Sequence, residues 1–269
     1  MPTQNLRIGD VSHMFHISDQ MIRYYEKNGV IKPTRSKEGN FRTYTMEDVF
    51  LLFDAMRYKE WNMNIRDIDE VIHGDYFNIL TQKFTDFDAH LQAEIARQSL
   101  LQTRISSLNH KFKLCRYNIG KYFIFEQPAY HLYFCGTSEG DQYDMQIMPE
   151  AMTAQIFAAE NISYFDVWVE FHAGGQLWWY ALDDRYHRAL GLRDTGERKK
   201  TPVQLCLSTF IEMGQMGSFS DVLLDPVYAY MRDNGYSLDG VPRGLIIGRG
   251  CTEDGKFSRI MELQIPIRT

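Results

Sequence analysis

Three changes of pattern along the sequence predict a multidomain protein: an amino-terminal all-α winged helix-turn-helix, a long coiled-coil helix and a carboxy-terminal α+β domain. Residues 1–78 carry apolar positions at helical spacing, separated by turn signals. Residues 79–116 keep a heptad spacing and contain no glycine or proline. Residues 117–269 change to the period of two that is typical of strands, interrupted by two helical segments. We therefore predict three domains with these boundaries.

Composition is that of a folded protein with ordinary cores. The chain has 269 residues, of which 44% are hydrophobic and 14% aromatic. Its net charge of -6 gives no overall attraction to phosphate, so a nucleic-acid footprint must be local. The start of the sequence has no basic and apolar leader, and no apolar run approaches the roughly 20 residues that span a bilayer. We expect a cytoplasmic, reduced protein without a membrane partner.

The cysteines do not follow the spacing of a metal site. They lie far apart and form neither a C-x-x-C pair nor a mixed cysteine and histidine cluster. We interpret them as buried thiols and expect neither a metal nor a cofactor. The four are Cys115, Cys135, Cys206 and Cys251.

The amino-terminal region begins with two short amphipathic helices. The first runs over 8–14, with apolar residues on one side. Ser18 is a natural N-cap for the second, and Gly29 closes it. In this second helix we predict an apolar inner stripe formed by Met21, Ile22 and Tyr25. The residues predicted to face outward are Gln20, Arg23, Tyr24 and Lys27.

The segment after the second helix predicts a hairpin wing. Between Ser18 and Tyr44 there are six basic and three acidic residues, a local excess of +3. Such an excess suits a helix and loop that lie beside phosphates, although a solvated helix face has the same charge. Over 37–44, Gly39 and Asn40 tolerate positive φ and precede an alternating aromatic and basic run. This order favours the wing.

Two further helices complete the amino-terminal region. Thr45 and Asp48 have the spacing of a capping box, which predicts a helix from there to about Trp61. Asn64 can cap the next helix, whose buried stripe ends before Gly74.

The order of these elements resembles the MerR family over some 70 residues. The resemblance rests on the run LRIGDVSHMFHISDQMIRYYEKNGVIKPTRSKEGNFRTYTMEDVFLLFDAMR and the later WNMNIRDIDEVI. Within it, 22–26 is similar to the family's recognition helix and 39–44 to its wing. The resemblance implies a DNA-binding transcription regulator that acts at a promoter together with RNA polymerase. The residues it assigns to double-stranded DNA are Arg23, Tyr24, Lys27, Arg42 and Tyr44.

The connecting helix carries a heptad seam. Seven of its nine seam positions are apolar, and a helix of about 35 residues would extend roughly 50 Å. So narrow an apolar stripe needs a partner chain, although an ordinary domain-packing helix remains the alternative. In a MerR-like protein this segment is the antiparallel coil of a homodimer, which binds two half-sites. The seam positions are Phe84, Phe87, Leu91, Glu94, Gln98, Leu101, Ile105, Leu108 and Phe112.

The carboxy-terminal domain is predicted as a mostly antiparallel sheet with two helices. Pro149 leads the first helix, over 151–159, and Asp225 starts the second, which ends at Asn234. Each helix is followed by strands, which suggests a repeated strand-helix-strand-strand unit. The predicted strands are 122–125, 131–135, 165–171, 176–182, 203–210, 244–247 and 260–267.

Residues 217–236, 243–247 and 260–267 resemble the second half of GyrI-like ligand-binding domains, the sensors of multidrug-responsive MerR regulators. Aromatic residues are concentrated here, and two glutamates lie on strands. An aromatic box with a desolvated carboxylate suits a small lipophilic cation. The alternatives are core packing for the aromatic residues and solvation for the glutamates. The candidate ligand-binding residues are Tyr164, Trp168, Glu170, Trp178, Phe210, Tyr228 and Glu262.

Together these features predict a ligand-responsive transcription activator that binds and distorts a pseudo-palindromic promoter as a homodimer. We therefore do not expect an enzyme. Two alternatives stay open. A GyrI-like hydrolase would use Glu262 or Glu170 to activate water against a small reactive compound. A constitutive repressor would carry a vestigial sensor and show no ligand-dependent change in transcription.

Overall fold

A computed structural model of the protein describes residues 5–36, 39–193, 198–251 and 253–268. The chain divides into one unit up to Ala96 and a second from Arg97 onward. This division falls inside a long helix, whereas the sequence places domain boundaries at 78 and 116. Those functional boundaries stay a prediction.

The first unit has the helical, winged helix-turn-helix organisation that the sequence predicts. Leu6 pairs with Tyr44 in an isolated antiparallel bridge, which brings the start of the described chain to the end of the wing. Residues 37 and 38 of the predicted wing lie outside the described residues. In chain order the elements are α1 (Ile8–Phe15), α2 (Asp19–Lys27), β1 (Thr34–Arg35), β2 (Arg42–Thr43), α3 (Met46–Glu60) and α4 (Ile65–His73).

Local capping interactions define the helix ends of this unit. The Ser18 hydroxyl accepts a hydrogen bond from the amide of Met21, as expected for an N-cap. The predicted capping box of α3 is present: the amide of Asp48 donates to Thr45 Oγ1 at 3.2 Å, and the amide of Thr45 donates to Asp48 Oδ2 at 2.8 Å. Asn64 accepts from two amides at the start of α4, which confirms the third predicted cap.

The core of the first unit includes Ile22 and Tyr25 of α2, as the helical spacing predicts. Met21 is exposed, so its predicted place in the inner stripe is wrong. A helix of nine residues presents only a narrow buried face, and Ile22 and Tyr25 already occupy it. At the wing, Gly39 and Asn40 have φ of 139° and 55°, which confirms the prediction of positive φ at both positions.

A 43-residue helix, α5 (Tyr76–Asn118), continues from the first unit into the second. It is longer than the predicted 79–116 segment by three residues at its start and two at its end. Several seam residues are exposed along it, among them Leu91 and Ile105. Leu101, by contrast, packs against a cluster of buried residues in the second unit.

The second unit contains a sheet of ten strands, counted over the described residues. The strands are β3 (Tyr122–Gln127), β4 (Tyr130–Glu139), β5 (Gln142–Met145), β6 (Phe165–His172), β7 (Gly175–Asp183), β8 (Arg198–Lys200), β9 (Gln204–Glu212), β10 (Ser237–Leu238), β11 (Arg243–Cys251) and β12 (Phe257–Arg268). The main path of the sheet runs β3-β9-β12-β11-β6-β7-β4-β5, with β10 beside β12 and β8 beside β4, and all the pairings are antiparallel. The helices are α6 (Glu150–Phe157), α7 (Asp184–Ala189) and α8 (Asp225–Asp233).

Each of the seven predicted strands and both predicted helices is present. Strands β5, β8 and β10 and helix α7 are additions that the sequence reasoning missed. They are short, with two to six residues each, so they carry too few positions to show a period.

Both faces of the sheet are buried, each against a different part of the second unit. The α8 face packs against helix α8; it includes Val169, Met261 and Leu263, which share a core cluster with Val227 and Met231 of the helix. The α5 face lies on the side of the carboxy-terminal part of α5, to which it is joined by ion pairs. It includes Tyr130, Leu132, Trp168, Ala181 and Leu245.

No helix among the described residues is long and apolar enough to cross a membrane. Three cysteines are buried, as predicted for thiols in a core, but Cys251 is exposed. It lies at the end of β11, where the burial pattern of the strand has already changed to exposed.

Candidate nucleic-acid interface and ligand cavities

The exposed side of α2 carries the residues that the sequence assigns to DNA. Ile22 and Tyr25 face the core, which directs Arg23, Tyr24 and Lys27 outward because residues at other helical angles cannot share the buried face. Tyr24 is 42% exposed although it contacts the ring of Tyr25. This arrangement presents two cations and one phenol on a single helix turn.

An ion pair joins the wing to α2. Arg42 Nε donates to both carboxylate oxygens of Glu26 at 2.9 Å, and this hydrogen bond raises the pKa of Arg42. Arg42 lies opposite Arg35 in the two-stranded ladder of the wing. The pair therefore fixes a wing cation beside the exposed side of α2.

Tyr44 is placed differently from the expectation that it grips DNA from the wing. Strand β2 ends at Thr43, and the backbone of Tyr44 exchanges two hydrogen bonds with Leu6. Its side chain is only 1% exposed, and burial raises the pKa of its phenol. Tyr44 is therefore a core residue of the first unit.

The seven candidate ligand-binding residues do not form one site. Tyr164 packs near α6 and α7, where it contacts the ring of Tyr186. Strand alternation separates those that lie on strands, because successive side chains point to opposite faces. Trp178 and Tyr228 lie with the core of the α8 face. The members on the α5 face are Trp168, Glu170, Phe210 and Glu262.

Basic side chains of the protein itself contact the acidic and aromatic residues of the α5 face. Lys111 Nζ donates to Glu262 at 2.6 Å, and Lys199 Nζ donates to Glu170 at 2.6 Å. The guanidinium of Arg243 lies 5.4 Å from the centre of the Trp168 ring. The two glutamates and the tryptophan that a lipophilic cation would contact are therefore already in contact with three basic side chains of the protein.

A cavity of about 160 Å³ lies between α5 and the sheet. Arg104 and Asp166 form an ion pair at 2.6 Å on its wall, and Tyr130 and Lys111 also line it. None of the seven candidate residues is among its described lining. The cavity is small for a drug-sized ligand, since such sites measure about 300–1,000 Å³.

A second cavity, of about 400 Å³, opens on the α8 face. Trp178, one of the seven candidate ligand-binding residues, lines this cavity. Tyr143 and Arg249 were missed by sequence reasoning, because Tyr143 lies on the short strand β5 and because a bulge changes the direction of Arg249. The remaining lining residues are Cys135, Met145, Val167, Tyr180, Met213, Met216, Ile246, Phe257 and Arg259.

Among the described residues, no group of three or more histidine, cysteine, aspartate or glutamate side chains is placed to hold a metal ion.

Two helices joined by a turn, followed by a hairpin whose arginine pairs with the second helix, define a winged helix-turn-helix domain. Residues 7–44 match the model of the MerR family regulatory protein. The amino-terminal domain is therefore a MerR-family helix-turn-helix domain, which confirms the resemblance found in the sequence. The similarity of the second unit to GyrI-like domains stays a prediction.

Named relatives share only part of the chain. The heavy metal-dependent transcription regulator 2 of Rhizobium meliloti is 34% identical over 67 residues, which are 25% of this chain and 46% of that protein. The chain thus spans about half the length of this relative. The match to a cryo-EM structure of an EcmrR–DNA complex covers 98% of this chain and 100% of that chain, with 15% identity and a TM-score of 0.33. The match to the crystal structure of a hydrolase from Listeria innocua covers 56% of this chain and 93% of that chain, with 12% identity and a TM-score of 0.32.

Proposed function

We propose that the protein is a ligand-responsive transcription regulator that binds promoter DNA as a homodimer. The observation that carries this proposal is the MerR-family match over 7–44, in which α2 presents Arg23, Tyr24 and Lys27 at the surface. A basic helix of this kind suits the major groove, and the neighbouring Arg42 suits the adjacent phosphates.

The proposed mechanism is activation by distortion of the promoter. Two DNA-binding domains held in one dimer contact two half-sites, so a pseudo-palindromic site is expected. A bent or untwisted spacer would change how RNA polymerase engages the promoter, at a deformation cost that depends on the DNA sequence. The ligand would act by binding more tightly to one of two states of the dimer.

The DNA-binding proposal is tested with Arg23→Ala. Removal of one groove contact should weaken binding about 5-fold to 150-fold, since such contacts contribute about 1–3 kcal/mol. The probes are a random-sequence duplex pool at low ionic strength and the duplexes selected from it, measured by fluorescence anisotropy. Arg97→Ala, which removes an exposed arginine from α5, is the matched control and should bind as the parent does. Equal affinity of Arg23→Ala and Arg97→Ala, or no binding of the parent to any duplex, would contradict the assignment.

The homodimer is proposed to form along the heptad seam of α5. Leu91 and Ile105 are exposed seam residues, whereas Leu101 is partly buried within the second unit and is a poor choice for a test. We expect the double change Leu91→Glu, Ile105→Glu to give monomers in sedimentation velocity, because buried charges without partners are strongly unfavourable in a coil. The double change Gln102→Glu, Ser106→Glu adds the same charge off the seam and should remain dimeric. A dimer that persists in the seam variant rejects the coil.

A small lipophilic cation is the ligand class that the sequence favours, and Glu262 is its best-supported partner. This carboxylate is buried and lies directly opposite Phe210 in the sheet. A cation bound there has to replace Lys111, whose side chain is 30% exposed and can move into water. Glu170 and Trp168 would form a separate contact region on the same face.

The hydrolase alternative gains little from the geometry of these two glutamates. A general base must lie within hydrogen-bond reach of the water it activates. Here the ammonium groups of Lys111 and Lys199 lie 2.6 Å from Glu262 and Glu170. Turnover of a reactive compound by the purified protein would revive this alternative, and ligand-independent transcription would favour a constitutive repressor.

A further inference from the structure

The cavity of about 400 Å³ on the α8 face has mostly apolar and aromatic walls. Trp178 and Tyr143 lie 5.4 Å apart between ring centres and form one side. The indole nitrogen of Trp178 donates to Ser138 Oγ at 2.8 Å, so the polar edge of this ring is already satisfied. Met213 and Met216 line the cavity with flexible thioethers, which adapt to ligands of different shape. Its volume lies within the range of small-molecule sites, about 300–1,000 Å³.

Two arginines line this cavity, and within the described part of the chain only one has a carboxylate partner. Arg249 and Arg259 are directly opposite each other on β11 and β12, a like-charge arrangement that is unfavourable by itself. A β-bulge between Ile246 and Gly248 creates it. In a regular strand without a bulge, alternation counted from Ile246 would direct Arg249 to the other face of the sheet.

Asp141 neutralises Arg259 and has no capacity left for a ligand cation. Its Oδ2 accepts hydrogen bonds from Arg259 Nη2 at 3.0 Å and from the amides of Gly217 and Phe219. Its Oδ1 accepts from Arg259 Nη1 and from the phenol of Tyr143 at 2.9 Å. Burial alone would raise the pKa of Asp141, but these bonds, led by that of Arg259, hold it well below its usual range.

Arg249 has no hydrogen-bond or ion-pair partner among the described residues, and no carboxylate lines the cavity. Its side chain remains accessible, while partial burial and the charge of Arg259 lower its pKa and the neighbouring Tyr143 opposes this change. After Asp141 and Arg259 cancel, the cavity retains one positive charge beside aromatic walls.

We propose that this cavity binds a flat aromatic molecule with one negative charge, whose anionic group contacts Arg249 and whose ring packs against Trp178 and Tyr143. A guanidinium is well suited to a carboxylate or sulfonate because it offers several donors in one plane. The site lies on the opposite face from Glu262 and prefers the opposite charge. It stands independently of the proposed regulatory function, since binding requires neither DNA nor a dimer.

The test is calorimetric titration of the full chain with three probes of equal ring size: naphthoate, neutral naphthamide and cationic naphthylmethylammonium. We expect naphthoate to bind most tightly and the ammonium compound most weakly. Arg249→Gln should weaken naphthoate about 10-fold to 100-fold, as expected for loss of a charge-assisted hydrogen bond, and should leave naphthamide nearly unchanged. Arg249→Lys should retain part of the naphthoate affinity because it keeps the charge.

The matched control is Arg232→Gln, which removes an exposed arginine of α8 outside the cavity lining and should bind all three probes as the parent does. Retained naphthamide binding by Arg249→Gln shows that the cavity is intact in that variant. The proposal is overturned if the parent binds no naphthoate, if the ammonium probe binds more tightly than naphthoate, or if Arg249→Gln weakens naphthoate and naphthamide equally or not at all.

Discussion

The two units of the chain depend on interactions of different sequence range. In the first unit, Thr45 with Asp48 and Asn64 with Asp67 form capping bonds between residues three positions apart. In the second unit, Asp141 and Arg259 are 118 positions apart. The first kind of interaction specifies where a helix begins, whereas the second joins elements that only the completed fold brings together. The units should therefore respond differently to the loss of a single partner.

The largest effect is expected from Asp141→Asn. This change leaves the guanidinium of Arg259, whose side chain is 4% exposed, without a balancing charge in the core. Loss of one partner from a buried pair costs about 3–5 kcal/mol, so we expect the free energy of unfolding to fall by about that amount. Urea unfolding followed by tryptophan fluorescence measures the change.

Glu170→Gln is the matched control for this loss, because it removes a buried carboxylate from the same sheet. Its partners Lys199 and His172 are 45% and 38% exposed and can return to water, so the expected loss is about 1 kcal/mol or less. Equal destabilisation by the two changes would show that exposure of the remaining cation does not decide the cost.

The pH dependence of the free energy of unfolding provides a separate test of the Asp141–Arg259 pair. The pKa of this carboxyl is lower in the folded chain than the value of about 3.9 expected when unfolded, so the pair stabilises the fold above that pH. Its contribution is lost as pH falls through the folded pKa. The difference in stability between parent and Asp141→Asn should therefore be constant from neutral pH to about 5 and should narrow below about 4.

The difference in sequence range also explains what could be predicted. Ser18, Thr45 and Asn64 are caps by residue type and position, and all three were predictable because each acts on amides two or three residues away. The burial of Tyr44 was not predictable, since Tyr44 pairs with Leu6, a residue far from it in the sequence. Leu101 shows the same limit: the heptad seam predicts a helix, but not which seam residues a second domain covers.

In the second unit, alternation predicted seven strands correctly. It could not predict the cavity on the α8 face, because that site depends on a bulge in β11 and on the short strand β5. The bulge inserts one residue and reverses the direction of Arg249 relative to a regular count from Ile246. Likewise, the charge of Glu262 was visible in the sequence, but its pairing with Lys111, 151 positions away, was not.

A smaller effect than that of Asp141→Asn is expected from the local interactions, and Thr45→Ala tests it. The hydroxyl that accepts from the Asp48 amide is lost, while Asp48 keeps its bonds to the amides of Thr45 and Lys32. Loss of an N-cap side chain costs about 1 kcal/mol, so the first unit should lose roughly that amount in urea unfolding followed by circular dichroism. Thr45→Ser retains the hydroxyl and should unfold close to the parent. If serine and alanine at this position were equally destabilising, the loss would arise from packing of the threonine methyl, and the local cap would not account for stability at this helix start.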